Sequence, residues 1–473
     1  MALVATSAIS FAPHVVAKTD GVSPYLPLKV DSMIELEIER LASITNMPKL
    51  TKPYHIASVV SYLNKVKHSH PSLYNRLNSY VERYKSKSAI THYSVELGYG
   101  EKDGGTLGNQ RGQSFDSIGK LSARGFYQTS EYLIFNAGGS IVHGQGIVPQ
   151  SSFVSFGVDY MQFDLGYREH WLSPMQESAS LLSTNAPTAP SITVSNVSPL
   201  TDFNIHYEMS LGLLEEMSGI HFDDKISDGR PGLLTMHLSG QPIDGWTIGL
   251  NRSFQFAGGE RSITLSDIWQ AIIDPVNSDN CGGTDLVDCD EEVGNQIASI
   301  TNRFDFSVLD TPVSFYFEYA GEDTKDHKNY QLGNLAYTYG LFLPYLSESS
   351  SVYFEYSDYH SHWYIHHLYD EGYRNDGTVM GHWWANDRII DDKVGGQTFN
   401  IRYNLDIQDF GHLTAKARFI TLNESSKADY ETAREFELSY KQTYNKGFVG
   451  VSLINKKNVY GDSFNRISVS YNW

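Results

Sequence analysis

The chain predicts an all-β transmembrane barrel of roughly eighteen antiparallel strands behind a short helical segment. Three observations carry this. Apolar and polar side chains alternate with period two through most of the stretch from Thr91 to Trp473. The segments between these runs alternate long and short. No helical pattern follows to cover a sheet, so one long meander must close on itself or leave open edges.

In chain order, residues 1–17 are apolar and rich in small side chains. Val15-Val16-Ala17 suits a signal-peptidase cut before Lys18, although a basic leading region is missing, and the segment reads as a signal-peptide remnant. Residues 18–88 form a helical part. Ser32 and Glu35 make an S-x-x-E capping box, after which Ile34, Ile38 and Leu41 recur at helical spacing. Ile56, Val59, Val60, Leu63 and Val66 form a second stripe. Pro71 suits the first turn of a third helix, continued by Leu73, Leu77, Tyr80, Val81 and Tyr84. These stripes have to be buried against one another, a barrel lumen or a partner.

The strands occupy residues 89–473. Tyr93, Val95, Leu97 and Tyr99 alternate with polar or small neighbours, as do Val313, Phe315, Phe317 and Tyr319. So do Phe399, Ile401, Tyr403, Leu405 and Ile407; Leu413, Ala415, Ala417 and Phe419; and Phe436, Leu438 and Tyr440. The last strand sets Ile467, Val469, Tyr471 and Trp473 against Arg466, Ser468, Ser470 and Asn472. A closing strand that ends on an aromatic residue is a habit of bacterial outer-membrane barrels. Long connections are expected at 101–112, 139–150, 169–189, 214–231, 256–295, 359–397 and 421–432, and short ones near 126–128, 159–160, 241–243, 309–311, 408–411 and 443–445. If the first strand rises from the periplasm, every long connection lies outside the cell, with both termini periplasmic.

Composition agrees. In 473 residues the hydrophobic fraction is 41% and mean hydropathy is -0.34, with no apolar run near the ~20 residues of a spanning helix. A barrel strand needs only about ten residues, half of them polar. The 31 Tyr, 23 Phe and 7 Trp suit aromatic girdles at the two interfaces. A net charge of -19 argues against nucleic acid. Cys281 and Cys289 bracket CGGTDLVDC, and in an oxidising compartment they pair and close one small loop. A zinc site needs two further ligands, and none lies close in sequence.

One stretch is more specific. Residues 160–197 read YMQFDLGYREHWLSPMQESASLLSTNAPTAPSITVSNV. This resembles the central signature of the Wzi-type capsule-assembly family, an aromatic-Gly-Pro-like turn joined to a Leu-Ser-x-Asn-Ala stretch with downstream prolines. Trp171, Pro174, Ser183, Asn185, Ala186 and Pro190 match it, and Ser173 stands where the family more often has Gly. The runs 290–308 and 371–387 resemble the family's Gly-Asn-Gln lead into a strand and its Gly-Tyr-Arg…Gly-His loop. SPYLPLKVDSMIELEIERLA resembles its leading region. The resemblance implies an eighteen-stranded outer-membrane barrel with a helical bundle occluding the periplasmic side. It also implies a surface lectin that helps hold capsular or exopolysaccharide on the cell. The expected partners are that polysaccharide, outer-membrane lipid and the polysaccharide export machinery.

Binding a sugar calls for aromatic faces against pyranose C–H groups, and for amides, carboxylates or Arg against hydroxyls. The loop 359–397 has that composition, and Trp363, Tyr364, Tyr373, Arg374, Trp383, Trp384 and Arg388 are the glycan-binding candidates. The plainer reading is that aromatics at loop bases join the interfacial girdle or pack the loop on the rim. His360, His362, His366, His367 and His382 lack the helical spacing that would converge on a metal. Asp285, Asp288, Asp290, Glu291 and Glu292 match no calcium-loop pattern and read as a solvated acidic loop. Thr264–Ile273 reads as a short amphipathic helix over the barrel mouth or turned inward. No catalytic constellation stands out, so the expectation is a protein with neither catalysis nor cofactor. A porin-like or gated diffusion channel is the alternative, and an outer-membrane hydrolase a distant third.

Overall fold

A computed structural model describes residues 21–29, 32–222, 225–273, 293–322, 324–325, 328–407 and 411–473. Eighteen antiparallel strands close into one barrel. They are β1 (Ser88–Gly100), β2 (Gly119–Ser130), β3 (Leu133–Val142), β4 (Gly146–Pro149 continued by Ser152–Val158), β5 (Met161–Tyr167) and β6 (Ser191–Ser195). Next come β7 (His206–Leu213), β8 (Gly232–Ile243), β9 (Trp246–Phe256), β10 (Gly294–Val308), β11 (Thr311–Glu322) and β12 (Leu335–Ser347). The last six are β13 (Ser350–Tyr359), β14 (Gly396–Ile407), β15 (Gly411–Leu422), β16 (Ala433–Tyr444), β17 (Gly447–Lys457) and β18 (Ser463–Asn472). Each strand pairs with the next, and β1 pairs with β18, Val95 opposite Tyr471 and Leu97 opposite Val469. Closure removes the open edges that a meander would otherwise leave. Beyond β18, Trp473 exchanges backbone hydrogen bonds with Tyr93 and stacks on its ring.

The alternation sorts the two faces. Tyr99, Leu121, Ile141, Leu165, Leu250, Phe436 and Ile467 point out of the cylinder and are exposed. Arg303, Glu318, Glu355, Asn400, Arg418 and Arg466 point in and are buried. An apolar belt of this extent is out of place in water and fits lipid tails.

The connections also alternate. At one end six of them (131–132, 159–160, 244–245, 309–310, 348–349 and 445–446) are two residues long. The long ones, including 101–118, 168–190, 214–231 and 360–395, gather at the other end. Three expected connections shift. Residues 126–128 lie inside β2 and 241–243 inside β8. The expected long loop 139–150 is instead the end of β3, a tight turn at 143–145 and the first piece of β4. Gly144 and Gly146 hold the left-handed backbone of that tight turn, at φ 90° and 81°.

The helices α1 (Ser32–Thr45), α2 (Ile56–Lys65) and α3 (Pro71–Val81) stand at the short-turn end. Leu41, Val59, Leu63, Leu73, Leu77 and Tyr80 form their shared core, which also takes in Phe126 and Ile134 of the wall. Pro71 opens α3 as expected. The capping box does not close: the Ser32 hydroxyl accepts from the Lys441 ammonium, and the Glu35 carboxylate accepts from the Lys29 amide. The second face of α1 is polar and equally buried. Arg40 reaches Asp406 at 3.0 Å, Ser43 meets Ser314 at 2.6 Å, and Glu39 lies 3.5 Å from Arg303. A polar lumen makes polar helix residues a packing face.

A fourth helix, α4 (Leu265–Ile273), lies neither over the mouth nor inward. It packs on outward-facing Leu234, Phe254 and Phe256, near the long-loop end of the wall. Arg252 donates to the carbonyls of Ala271 and Ile272, leaving Trp269 and Ile273 exposed. The leader 1–17, the pair Cys281 and Cys289, and the acidic residues Asp285, Asp288, Asp290, Glu291 and Glu292 lie outside the described residues.

Candidate functional site

The segment 168–190 leaves β5 and turns into the lumen instead of standing above it. Trp171, Leu172, Ser173, Met175 and Leu181 are wholly buried. Thr51 pairs with Leu172 and Lys52 with Trp171, so the segment reaches the chain just after α1. Two wall carboxylates hold its turn. Glu355 accepts from the amides of Gln176 and Glu177 at 2.7 and 3.0 Å, and Glu318 accepts from the hydroxyls of Ser173 and Ser180 at 3.0 and 3.1 Å. Ser173 also accepts from the Met175 amide, so the hydroxyl closes the turn where the family more often has Gly. Glu177 faces Arg418 at 2.8 Å and Arg402 at 3.7 Å. Burial alone would raise its carboxyl, but Lys416, Arg418 and Arg402 outweigh that and hold it well below the usual range.

The end of this segment ties three connections together. The Asn185 amide donates to the Val379 carbonyl at 2.8 Å, and its oxygen accepts from the Asn109 amide at 3.1 Å. The Ser183 hydroxyl donates to the Gly381 carbonyl at 2.7 Å. Trp171 donates to the Met175 carbonyl, Pro174 is buried in the turn, and the Pro190 carbonyl accepts from Leu213. The motif residues Trp171, Pro174, Asn185 and Pro190 therefore thread and pin the segment.

Above it, the connection 360–395 makes a lid. The structure corrects the expectation that its aromatic residues offer open faces to a glycan. Trp363, Tyr364, Tyr373, Trp383 and Trp384 share one apolar cluster with Leu181, Tyr359 and Val459, and none is more than 8% exposed. Tyr364 donates to the Ser180 carbonyl at 2.6 Å, Trp383 to the Glu177 carbonyl at 3.2 Å, and Tyr373 contacts Ser253. Arg374 donates to the Ala385 and Gly377 carbonyls. Arg388 donates to those of Trp363 and Val394 and lies over the Trp384 ring. Burial lowers both guanidinium groups to about 10. The reason is local: a wide lid over a barrel mouth needs its own apolar core, and these residues are that core.

His382 is buried and accepts from the Trp384 amide at 3.2 Å. Burial, then Arg418, lowers its imidazole to about 3. His360 stacks on His362, and His366 lies tilted against His367. Among the described residues no three His, Cys, Asp or Glu side chains converge as a metal site.

What the lid leaves open is its rim. Tyr430 and Tyr460 pair at 5.8 Å, and Tyr460 is 45% exposed. Tyr430 donates to Asp392 at 2.7 Å, and Asp392 also accepts from Ser425 at 2.6 Å. The sequence marks each only as the single aromatic residue in a short connection, 423–432 and 458–462.

An apolar exterior, a polar lumen and long connections at one end define an outer-membrane β-barrel whose lumen is occupied by its own chain. The sequence model of the Capsule assembly protein Wzi family matches residues 85–457, and the chain belongs to that family. Among solved structures it is similar to Wzi of Escherichia coli, described as an outer-membrane protein involved in group 1 capsule assembly and a carbohydrate-binding β-barrel. The match has 15% identity and a TM-score of 0.72, covering 95% of this chain and 99% of that one. OprD of Pseudomonas aeruginosa (12% identity, 82% and 93% covered, TM-score 0.45) and OccAB2 of Acinetobacter baumannii (12%, 82% and 98%, 0.48) are more distant. Comparison with curated protein sequences returned no relative.

Proposed function

We propose that this protein binds a surface polysaccharide at the rim of its long-loop end and holds it on the cell by binding, without turnover. In this reading the long connections face outward, and the short turns and helices face the periplasm, where the export machinery would meet them. The observation that carries it is the rim pair Tyr430 and Tyr460, two rings beside Asp392 and Ser425 at the edge of a lid whose own tryptophans and tyrosines are buried. An exposed ring, Tyr460, with a half-buried second ring behind it suits the C–H face of a pyranose. The E. coli relative, a carbohydrate-binding barrel, supports the same assignment.

Retention of detergent-solubilised protein on a column bearing the native surface glycan tests this. Tyr460→Ala and the double variant with Tyr430→Ala are expected to elute at least tenfold earlier in competitor concentration, with unchanged heat-modifiable mobility. Parental retention by the double variant removes the rim from the proposal. The diffusion-channel alternative is weakened by the lumen contacts of segment 168–190 and α1. Planar-bilayer recordings of the intact chain are expected to be nearly silent.

A further inference from the structure

We infer a second saccharide site at the opposite mouth, a pocket between the helices and the barrel wall that takes one neutral sugar ring. One side is the chain from Met47 to Tyr62, which runs from the end of α1 into α2. The other is the inner face of β6, β7 and β8 with the connection 196–205. Hairpins of a twisted sheet need about two residues to turn, as six connections at this end do. The connection 196–205 is far longer, and its added residues form a fixed wall. Asn196 accepts from the Tyr207 amide at 2.8 Å and donates to the Ser198 and Ile205 carbonyls. Asn204 donates to Gln241 at 2.7 Å, and Gln241 donates to the Asn46 carbonyl at 2.8 Å, tying that wall to the end of α1.

The cavity measures about 90 Å3. On a scale where one water takes roughly 10–15 Å3, that is room for about six to nine waters, the displacement of a single hexose. Its charged groups are already spent within the protein. Lys49 pairs with Glu39, and Arg168 with Asp164 at 3.3 Å and Glu208 at 2.7 Å. What remains is neutral: the Ser61 hydroxyl and the Tyr62 ring, with Tyr54 and the His55 imidazole beside them. Burial, with Arg168 and His206 adding to it, lowers His55 to about 3, so the ring is uncharged at neutral pH. The Tyr54 hydroxyl is buried with no hydrogen-bond partner among the described residues. Such a group calls for a partner. A polyol offers dense neutral donors and acceptors, whereas an acid or amine would meet no unspent counter-charge.

Calorimetric titration of the detergent-solubilised full chain with D-galactose, D-glucose and D-mannose tests the site, with D-glucuronate alongside. At least one hexose is expected to bind in the millimolar range, and glucuronate at least tenfold more weakly. Ser61→Phe, which fills the cavity, is expected to abolish binding and Tyr54→Phe to weaken it at least fivefold. Both should keep parental heat-modifiable mobility; if Ser61→Phe does not fold, Tyr54→Phe decides alone. The inference is overturned if none of the three hexoses binds, if glucuronate binds as tightly, or if full binding survives either substitution in a folded barrel. Binding lost in Tyr460→Ala instead belongs to the rim and overturns it as well.

Discussion

Arg418 on β15 places its guanidinium 2.8 Å from the Glu177 carboxylate, and through that pair the wall grips the segment threaded through its own lumen. Arg418 also meets Glu435 at 2.6 Å. Removing Arg418 strands Glu435 and leaves Glu177 only the more distant Arg402; neutralising Glu177 leaves the arginine its bond to Glu435. Breaking a buried pair from one side costs about 3–5 kcal/mol. Arg418→Ala is therefore expected to lower the denaturant midpoint in detergent more than Glu177→Gln does. Arg418→Ala is also the variant expected to show new conductance in planar bilayers.

Trp384 sits at the centre of the lid cluster, wholly buried against Tyr359 and Tyr364. Trp384→Ala opens a cavity worth about 3–5 kcal/mol. Because the lid is a connection and the barrel a closed ladder, the loss is expected locally. Limited proteolysis should cut within 360–395 while the barrel keeps its mobility. Cleavage at the parental rate would show that the ring does not hold the lid.

His382 makes lid stability depend on pH. Its folded value, about 3, lies below the ordinary imidazole value near 6.5, so between these values the unfolded state binds more protons. Stability is fully present above about pH 6.5 and is lost as pH falls toward 3, by roughly 2 kcal/mol at pH 5. Hydrogen-exchange protection factors across 360–395, which remove the intrinsic pH dependence of exchange, are expected to drop about thirtyfold between pH 7.5 and 5. In His382→Asn that pH response should flatten.

Arg252 holds α4 on the outside of the wall by donating to the Ala271 and Ile272 carbonyls at 2.6 and 2.8 Å. These are orphan acceptors at a helix C-terminus, where a cation also complements the dipole. Arg252→Ala is expected to cost about 1–3 kcal/mol in that helix alone. Faster amide exchange over 265–273, with β8 and β9 unchanged, would show it.

Much of the wall was legible because its cause is local. Leu97 and Val469 face out and Glu96 and Arg466 face in because a pleat alternates and two solvents border it. Helix stripes such as Val59–Leu63 and Leu73–Leu77 were legible for the same kind of reason. The stretch 139–150 was less legible, because a turn of three residues, 143–145, leaves almost no loop between two strands. The candidate site was legible only as composition. Trp363, Trp383 and Trp384 stand out in the sequence by composition, but composition does not say which side of a loop its rings face.

The sequence by itself determined a closed barrel, its two-faced wall, its loop rhythm and its family, since each follows from patterns within a few residues or from a contiguous motif. Only the tertiary structure decided what fills the cylinder, which aromatics lie buried under the lid and which stand at its rim. Those outcomes rest on partners such as Glu177 with Arg418 or Ser43 with Ser314, set hundreds of residues apart in sequence. A polar lumen buries polar side chains as readily as an oily core buries leucine, so hydropathy alone carries no sign of where they go.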